Sequence, residues 1–233
     1  MMDLYQVFTD KGLFSPDKIP NSFKKIGVHL IYAVKHDGRF KARLVADGHL
    51  TDIPLTSVYA GVVSLRGLRM VLFLSELNGI PAWQTDVGNA YLEAKTTEKV
   101  CIRAGPEFGK EKEGHLLIIY KALYGLKSSG LAFKLVLDKA LRSLGFKPSL
   151  CEPEIYMRKN HKLQLWEYVA TYVDDLACVI EDVKKFLDEL QSKPIGFKLK
   201  GSQLIEYHLG CGFTRDKYGV LCQDPQKYIE KLR

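Results

Sequence analysis

The chain predicts a mixed α and β fold of the α+β kind, and three observations carry that prediction. Stretches rich in Val, Ile, Tyr and Thr recur in pairs across short turn-forming segments, as β-hairpins do. Longer stretches between them carry apolar residues at helical spacing. Two adjacent acids, Asp174 and Asp175, interrupt the most strongly β-forming stretch, EYVATYVDDLACVIE (167–181). With 233 residues the chain can bury a sizeable core, as one large domain or two subdomains.

Residues 1–21 show weak periodicity, with Pro16 and Pro20, and predict an irregular lead-in. Residues 26–35 and 39–47 predict a hairpin around His36-Asp37-Gly38, a favourable turn sequence. From Ser57 to Leu77 the spacing of Val62, Val63, Leu65, Leu68, Val71, Leu72 and Leu74 predicts a helix ending near Asn78-Gly79. The alternation of Ile80, Ala82 and Gln84 predicts a strand that delivers Asp86 and turns at Gly88-Asn89. A short helix is expected over 89–95, then strands at 98–103 and 116–120. The charged, Gly-bounded stretch GPEFGKEKEGH (105–115) between them predicts a surface loop. Residues 128–144 predict an amphipathic helix stopped at Gly145. Strands are expected at 153–158 and 164–180, a helix at 182–192, and a hairpin from 204–214 and 218–223.

The 34 Lys and Arg residues outnumber the 27 Asp and Glu, and the formal charge of +7 favours an anionic partner. Basic residues gather at Lys24-Lys25, at Arg39, Lys41 and Arg43, at Arg66 and Arg69, and from Lys184 to Lys200. Solvated helix faces account for some of these clusters, but Lys41 and Arg43 sit in a strand-like alternation that puts both on one face. The 5 cysteines are odd in number and scattered, which predicts free buried thiols in a reducing compartment. No apolar run approaches membrane-spanning length and the N-terminus lacks the order of a signal peptide, so an intracellular, cytoplasmic location with no membrane partner is expected.

Two acids flanked by strands place hard oxygen ligands at a hairpin bend, where like charges need a cation. Such a pair suits Mg²⁺, which is held by one or two carboxylates and by substrate phosphates. An ordinary acidic turn is the competing reading of the two residues alone. Asp86 likewise reads either as a metal ligand or as the N-cap of the helix that follows. The turn at Gly88-Asn89 would set backbone N–H groups beside that carboxylate, where they could cradle a phosphate.

TDVGNAYL (85–92) and YVDD (172–175), in this order, resemble the two metal-binding motifs of reverse transcriptases. KARLVADGHLT (41–51) and KALYGLKSSG (121–130) are similar to the copia-type retrotransposon group, and YHLGCGF (207–213) to the segment that grips the primer. The resemblance covers nearly the whole chain. It implies a right-hand polymerase palm, a ferredoxin-like antiparallel sheet with helices on one face, plus fingers and with the thumb largely absent. The fingers would span about 22–83 and 96–120, the palm about 84–95 and 121–223, and residues 224–233 would open the missing thumb or connection. It implies RNA-directed DNA polymerase activity on an RNA template or DNA primer/template duplex with deoxynucleotides, in a cytoplasmic virus-like particle.

By the same resemblance two Mg²⁺ ions, with Mn²⁺ as a possible substitute, would be held by Asp86, Asp174, Asp175 and the carbonyl of Val87. The three carboxylates are expected to converge. Lys41, Arg43, Gly88, Asn89, Ala90, Tyr91, Tyr124 and Gly125 would meet the incoming nucleotide, with Tyr91 crowding the sugar 2′ position. Lys198 or Lys200 would be the general acid for pyrophosphate, and Leu209 and Gly210 part of the primer grip. After KALYGLKSSG the family places Pro or Arg and then Trp, whereas this chain reads GLAFKLV with Phe133 at the aromatic position; packing is expected to survive. Ribonuclease H and integrase domains, expected as polyprotein partners, have no counterpart in these residues. Two other readings stay open: a catalytically silent or degenerate nucleic-acid-binding remnant, and an unrelated two-metal cyclase or primase, against which KARLVADGHLT argues.

Overall fold

The computed structural model describes residues 22–34, 38–52 and 57–230. The lead-in expected at 1–21 lies outside them, as do His36 and Asp37 of the first turn and the last residues of the chain. In chain order come β1 (Lys24–Ile26), β2 (Val28–Val34), β3 (Phe40–Ala46), α1 (Leu65–Asn78) and β4 (Ala82–Val87). The one-turn helix α2 (Ala90–Glu93), β5 (Val100–Arg103), β6 (Leu116–Ile118) and α3 (Ser129–Ser143) follow. Next are β7 (Lys147–Pro148), β8 (Ile155–Asn160), β9 (Leu165–Tyr172), β10 (Asp175–Val179), α4 (Val183–Gln191) and β11 (Leu199–Leu204). Last come β12 (Tyr207–His208), β13 (Cys211–Arg215), β14 (Leu221–Asp224) and α5 (Gln226–Glu230). The chain divides into two compact units, one from Met1–Tyr59 and Tyr91–Val136, the other from Ala60–Ala90 and Leu137–Arg233.

In the first unit β2 and β3 form the expected hairpin, in unbroken register from Val28↔Ala46 to Val34↔Phe40. Gly38, just before β3, takes φ 79°, which a residue without a Cβ adopts without strain. A second sheet has the order β1-β5-β6; β1 lies parallel to β5, a pairing the sequence did not suggest. Ile26, Leu44, Val100, Ile102, Leu117 and Leu123 pack into this unit's core. The 105–115 loop joins them through Phe108, so it is not wholly a surface loop.

The second unit is built on a six-stranded sheet of order β11-β4-β10-β9-β8-β7. Within it β11-β4-β10-β9, all antiparallel, with α3 between β4 and β9 and α4 between β10 and β11, is the ferredoxin-like β-α-β-β-α-β order. The two crossover helices share one face. Asp138 of α3 accepts from the Tyr156 hydroxyl at 2.9 Å, the Phe146 and Phe186 rings meet edge-on at 5.5 Å, and Arg158 lies over Phe146. A further helix, α1, which lies within the residues assigned to the fingers in the sequence reading (22–83), packs on the other face of this sheet. Its Leu68, Val71 and Leu72 pack with Ala82, Ala170, Ala177 and Val179, which alternate onto the opposite face.

The strand expected over 204–214 is split into β12 and β13 by a turn at Leu209-Gly210, and two further boundaries differ from the sequence reading. The helix expected from Ser57 begins at Leu65, because Ser64 caps it: the Ser64 hydroxyl accepts from Gly67 N–H at 2.9 Å. Glu152, 88 residues away, accepts from both the N–H and the hydroxyl of Ser64. The helix ends as expected, with Gly79 left-handed at φ 63°. The other difference is β11. The sequence reading assigns no strand to 199–203, but LKGSQL (199–204) forms an edge strand against β4, with a register shift between Lys200 and Gln203. Its polar composition hides it, since an edge strand facing water needs little β propensity.

Candidate active site

In the second unit, strand register brings two of the three acids, Asp86 and Asp175, side by side. Asp175 opens β10 directly opposite Asp86 of β4, and Lys200 of β11 lies opposite Asp86 on its other side. Tyr172 of β9 lies opposite Asp175. Directly opposed residues share a face with Cβ atoms about 4.5–5.5 Å apart. A single row across four strands therefore runs Lys200, Asp86, Asp175, Tyr172. This row occupies the same face as the α1 packing residues, beyond the end that α1 covers. Asp86 and Asp175 are half-buried and Tyr172 and Lys200 exposed, so the row is open to ligand.

Asp174 enters by another route. It and Val173 are the two central residues of the β9–β10 turn, and the Asp174 carbonyl accepts from Val87 N–H at 2.9 Å. That bond ties the acidic turn to the residue after Asp86. Val173 takes φ 56°, the positive value that tight hairpin turns demand of their first central residue and a strained one for a β-branched side chain. Asn89 and Leu209, also φ-positive, sit at two more of the sequence-derived candidate positions. Held strain of this kind clusters at functional sites.

The phosphate cradle expected at Gly88 is not formed as drawn. Val87 N–H is used by Asp174, and Gly88 N–H donates to the Lys198 carbonyl at 2.8 Å. Gly88 serves instead to leave room. A Cβ there would lie 2.7 Å from Lys200 Cε and 3.1 Å from Lys200 Nζ, so the lysine side chain runs directly over this turn. Lys198 contributes its carbonyl to the turn, and Ala90 is buried.

Two aligned carboxylates fit the chemistry of an ion that takes its remaining ligands from phosphates and water. Among the described residues, no three His, Cys, Asp or Glu side chains form a group that could hold an ion by themselves. The expected convergence of Asp86, Asp174 and Asp175 into one group of three ligands is therefore not seen; the paired Asp86 and Asp175 fit Mg²⁺ only where a substrate completes its ligands.

Leu209 and Gly210 stand elsewhere in this unit, in the sheet β12-β13-β14. Both have positive φ, 49° and 84°, which makes the connection between His208 and Cys211 a type I′ turn. Its neighbour His208 is buried with Nε2 unpartnered, and burial pushes its pKa down to about 4. All five cysteines are free, but only Cys101 and Cys178 are buried and Cys151 is exposed, which corrects the expectation of buried thiols.

The first unit gathers a different set. Lys41 and Arg43 lie on one face of β3, opposite Ala33 and Ile31. The Arg43 guanidinium lies over the Tyr124 ring, and that ring meets Tyr91. Gly125, φ 91°, lets the 121–130 loop press against the end of β3: a Cβ would come 2.0 Å from the Ala46 carbonyl oxygen. Phe133, the substitute aromatic, is buried as packing requires.

Sequence reasoning passed over Tyr172 and the pairing of Lys200 with Asp86. The first was legible: a two-residue turn puts positions i and i+3 opposite each other, so Tyr172 faces Asp175. The second depended on a strand that the sequence does not announce.

Residues 13–232 match the family described as reverse transcriptase (RNA-dependent DNA polymerase). The chain is 28% identical over 209 residues to the retrovirus-related Pol polyprotein from transposon RE1 of Arabidopsis thaliana, covering 86% of this chain and 14% of that protein. It is 28% identical over 212 residues to the corresponding polyprotein from transposon RE2 of the same plant, with the same coverage. Over 125 residues it is 33% identical to the truncated transposon Ty1-A Gag-Pol polyprotein of Saccharomyces cerevisiae, 53% of this chain and 10% of that one. The chain therefore spans about a seventh of the length of the two plant relatives. Among the described residues no helix is long and apolar enough to cross a membrane. Its family match, its relatives and its ordered acidic motifs agree: the chain belongs to the reverse transcriptase family, as a copia-type reverse transcriptase domain.

Proposed function

We propose that this domain is an RNA-directed DNA polymerase that extends a primer 3′-hydroxyl by two-metal nucleotidyl transfer. The observation that carries the reading is the pairing of Asp175 with Asp86 on neighbouring antiparallel strands, in a chain of this family. Asp86 and Asp175, with Asp174 and the Val87 carbonyl, would hold the ions. With Mg²⁺ held by these residues, the site would have the Lewis acidity to lower the pKa of the attacking hydroxyl and to offset charge on the phosphorus and the departing pyrophosphate.

The chain's own residues do the rest. Lys41 and Arg43 take the triphosphate, Arg by its planar fork and Lys as a point charge. Tyr91 excludes a 2′-hydroxyl by its bulk. Lys200, whose side chain runs over the turn after Asp86, or Lys198 would donate a proton to pyrophosphate. Leu209-Gly210 holds the primer strand. Template, primer and polyprotein partners follow from this role.

Primer extension on poly(rA)/oligo(dT) with Mg²⁺ or Mn²⁺ tests the proposal, with Asp174→Asn and Asp175→Asn as controls. Extension by the parent and none by the variants is expected. Salt-dependent binding to primer-template with no extension under any condition would overturn it in favour of a silent binding remnant.

A further inference from the structure

Three side chains from three separate segments of the first unit form one stack. Arg43 Cζ lies 5.2 Å from the centre of the Tyr124 ring. The Tyr124 and Tyr91 ring centres are 4.7 Å apart, with their planes tilted by 59°. Both spacings fall where a cation and a ring, or two rings, attract each other. Tyr124 is therefore the middle layer.

The middle layer is also the most firmly seated. Its carbonyl accepts from Ala46 N–H at 2.7 Å, and it bridges to Val45 of β3. The next residue, Gly125, packs so closely on Ala46 that no Cβ fits, and a Cβ on Gly48 would lie 1.9 Å from the Gly125 carbonyl oxygen. Two glycines thus let two backbones touch, and Tyr124 projects from that contact. Tyr91 stands differently. It belongs to α2, a helix of 4 residues. One turn of helix has almost no stability of its own, so the place of the ring depends on its side-chain contacts, that with Tyr124 among them. The Arg43 Nε is buried without a hydrogen-bond partner, so that edge of the guanidinium adds no polar anchor.

We infer that Tyr124 is a positioning residue for Tyr91, and that its ring sets how strongly the domain rejects nucleotides carrying a 2′-hydroxyl. The inference rests on Tyr91 acting as the steric block of the function proposed above. The Tyr124 ring meets the Tyr91 ring, so phenylalanine keeps that contact and a non-aromatic residue does not.

The test has two arms. In the first, the ratio of kcat/KM for a deoxynucleotide to that for the ribonucleotide is measured for the parent, Tyr91→Ala, Tyr124→Ala and Tyr124→Phe. Tyr91→Ala should lose most of the discrimination. Tyr124→Ala should lose about 3- to 10-fold of this ratio, the worth of one aromatic contact. Tyr124→Phe should match the parent. A parent-like ratio in Tyr124→Ala, beside a relaxed Tyr91→Ala, overturns the inference while leaving the gate intact. If Tyr91→Ala is itself parent-like, the gate reading fails and the inference falls with it.

The second arm needs no turnover. Fluorotyrosine placed at position 91 should give a ring-shifted ¹⁹F resonance that moves and broadens in Tyr124→Ala but holds in Tyr124→Phe. A resonance indifferent to Tyr124→Ala, in a variant whose thermal melt shows it folded, overturns the inference even if the parent polymerises nothing.

Discussion

The two units hold their polar groups by different means. In the second, backbone pairing sets the row Lys200, Asp86, Asp175, Tyr172; each side chain is where its strand puts it. In the first, Arg43, Tyr124 and Tyr91 come from three segments and meet through ring contacts, over a backbone junction that needs Gly48 and Gly125. A register-held group keeps its place when its own side chain changes, because the hydrogen-bond ladder is indifferent to the side chain. A stack held by side chains does not. Substitution should therefore separate chemistry from structure cleanly in the second unit and poorly in the first.

The largest expected effect tests the register side. Asp175→Asn keeps size and ladder but removes a negative ligand, so extension should fall at least about 10³-fold with the melting temperature nearly unchanged. A melt that drops along with activity would show that Asp175 is structural and break the contrast.

Gly125→Ala probes the other side. The new Cβ meets the Ala46 carbonyl oxygen at 2.0 Å and the residue sits at φ 91°. Clash and left-handed strain together should cost about 3 kcal/mol, read by urea denaturation. A loss under about 1 kcal/mol would mean that the junction yields easily and that the stack is not seated as described.

His208 gives the second unit a pH dependence of its own. Buried among apolar groups, it is protonated only below about pH 4 when folded, against 6.5 when unfolded. The unfolded state binds the extra proton between these values, so stability is full above pH 6.5 and falls as the pH drops towards 4. The loss should approach about 3 kcal/mol, and His208→Phe should flatten that limb of the curve. An unchanged acid limb in the variant would assign the sensitivity to other groups.

The smallest effect lies at the acidic turn. Val173→Gly relieves a left-handed valine but frees the unfolded chain, for a net gain of about 0.5 kcal/mol. A loss of stability would show that the Val173 side chain does more by packing than its backbone costs.

Much of this was legible along the chain. The hairpin of β2 and β3, the end of α1 at Gly79, α3 up to Gly145, and the β9–β10 hairpin with two acids at its bend all follow from local patterns of apolar spacing and turn residues. The candidate acids were legible for the same reason, since charges inside a β-forming stretch are conspicuous. What escaped had a non-local cause. The start of α1 depends on Glu152 reaching Ser64 from 88 residues away. β11 is a strand because β4 offers it an open edge. The N–H of Gly88, free on paper, is taken by Lys198.

The sequence by itself determined most of the elements, the family and which acids are candidates, because periodicity, turn chemistry and motif are properties of neighbours in the chain. Only the tertiary structure decided which groups stand opposite one another: Lys200 beside Asp86, Tyr124 between Arg43 and Tyr91, and α1 on the face that carries the acids. Those relations are fixed by hydrogen-bond register and by close packing between segments distant along the chain, and no local pattern encodes either.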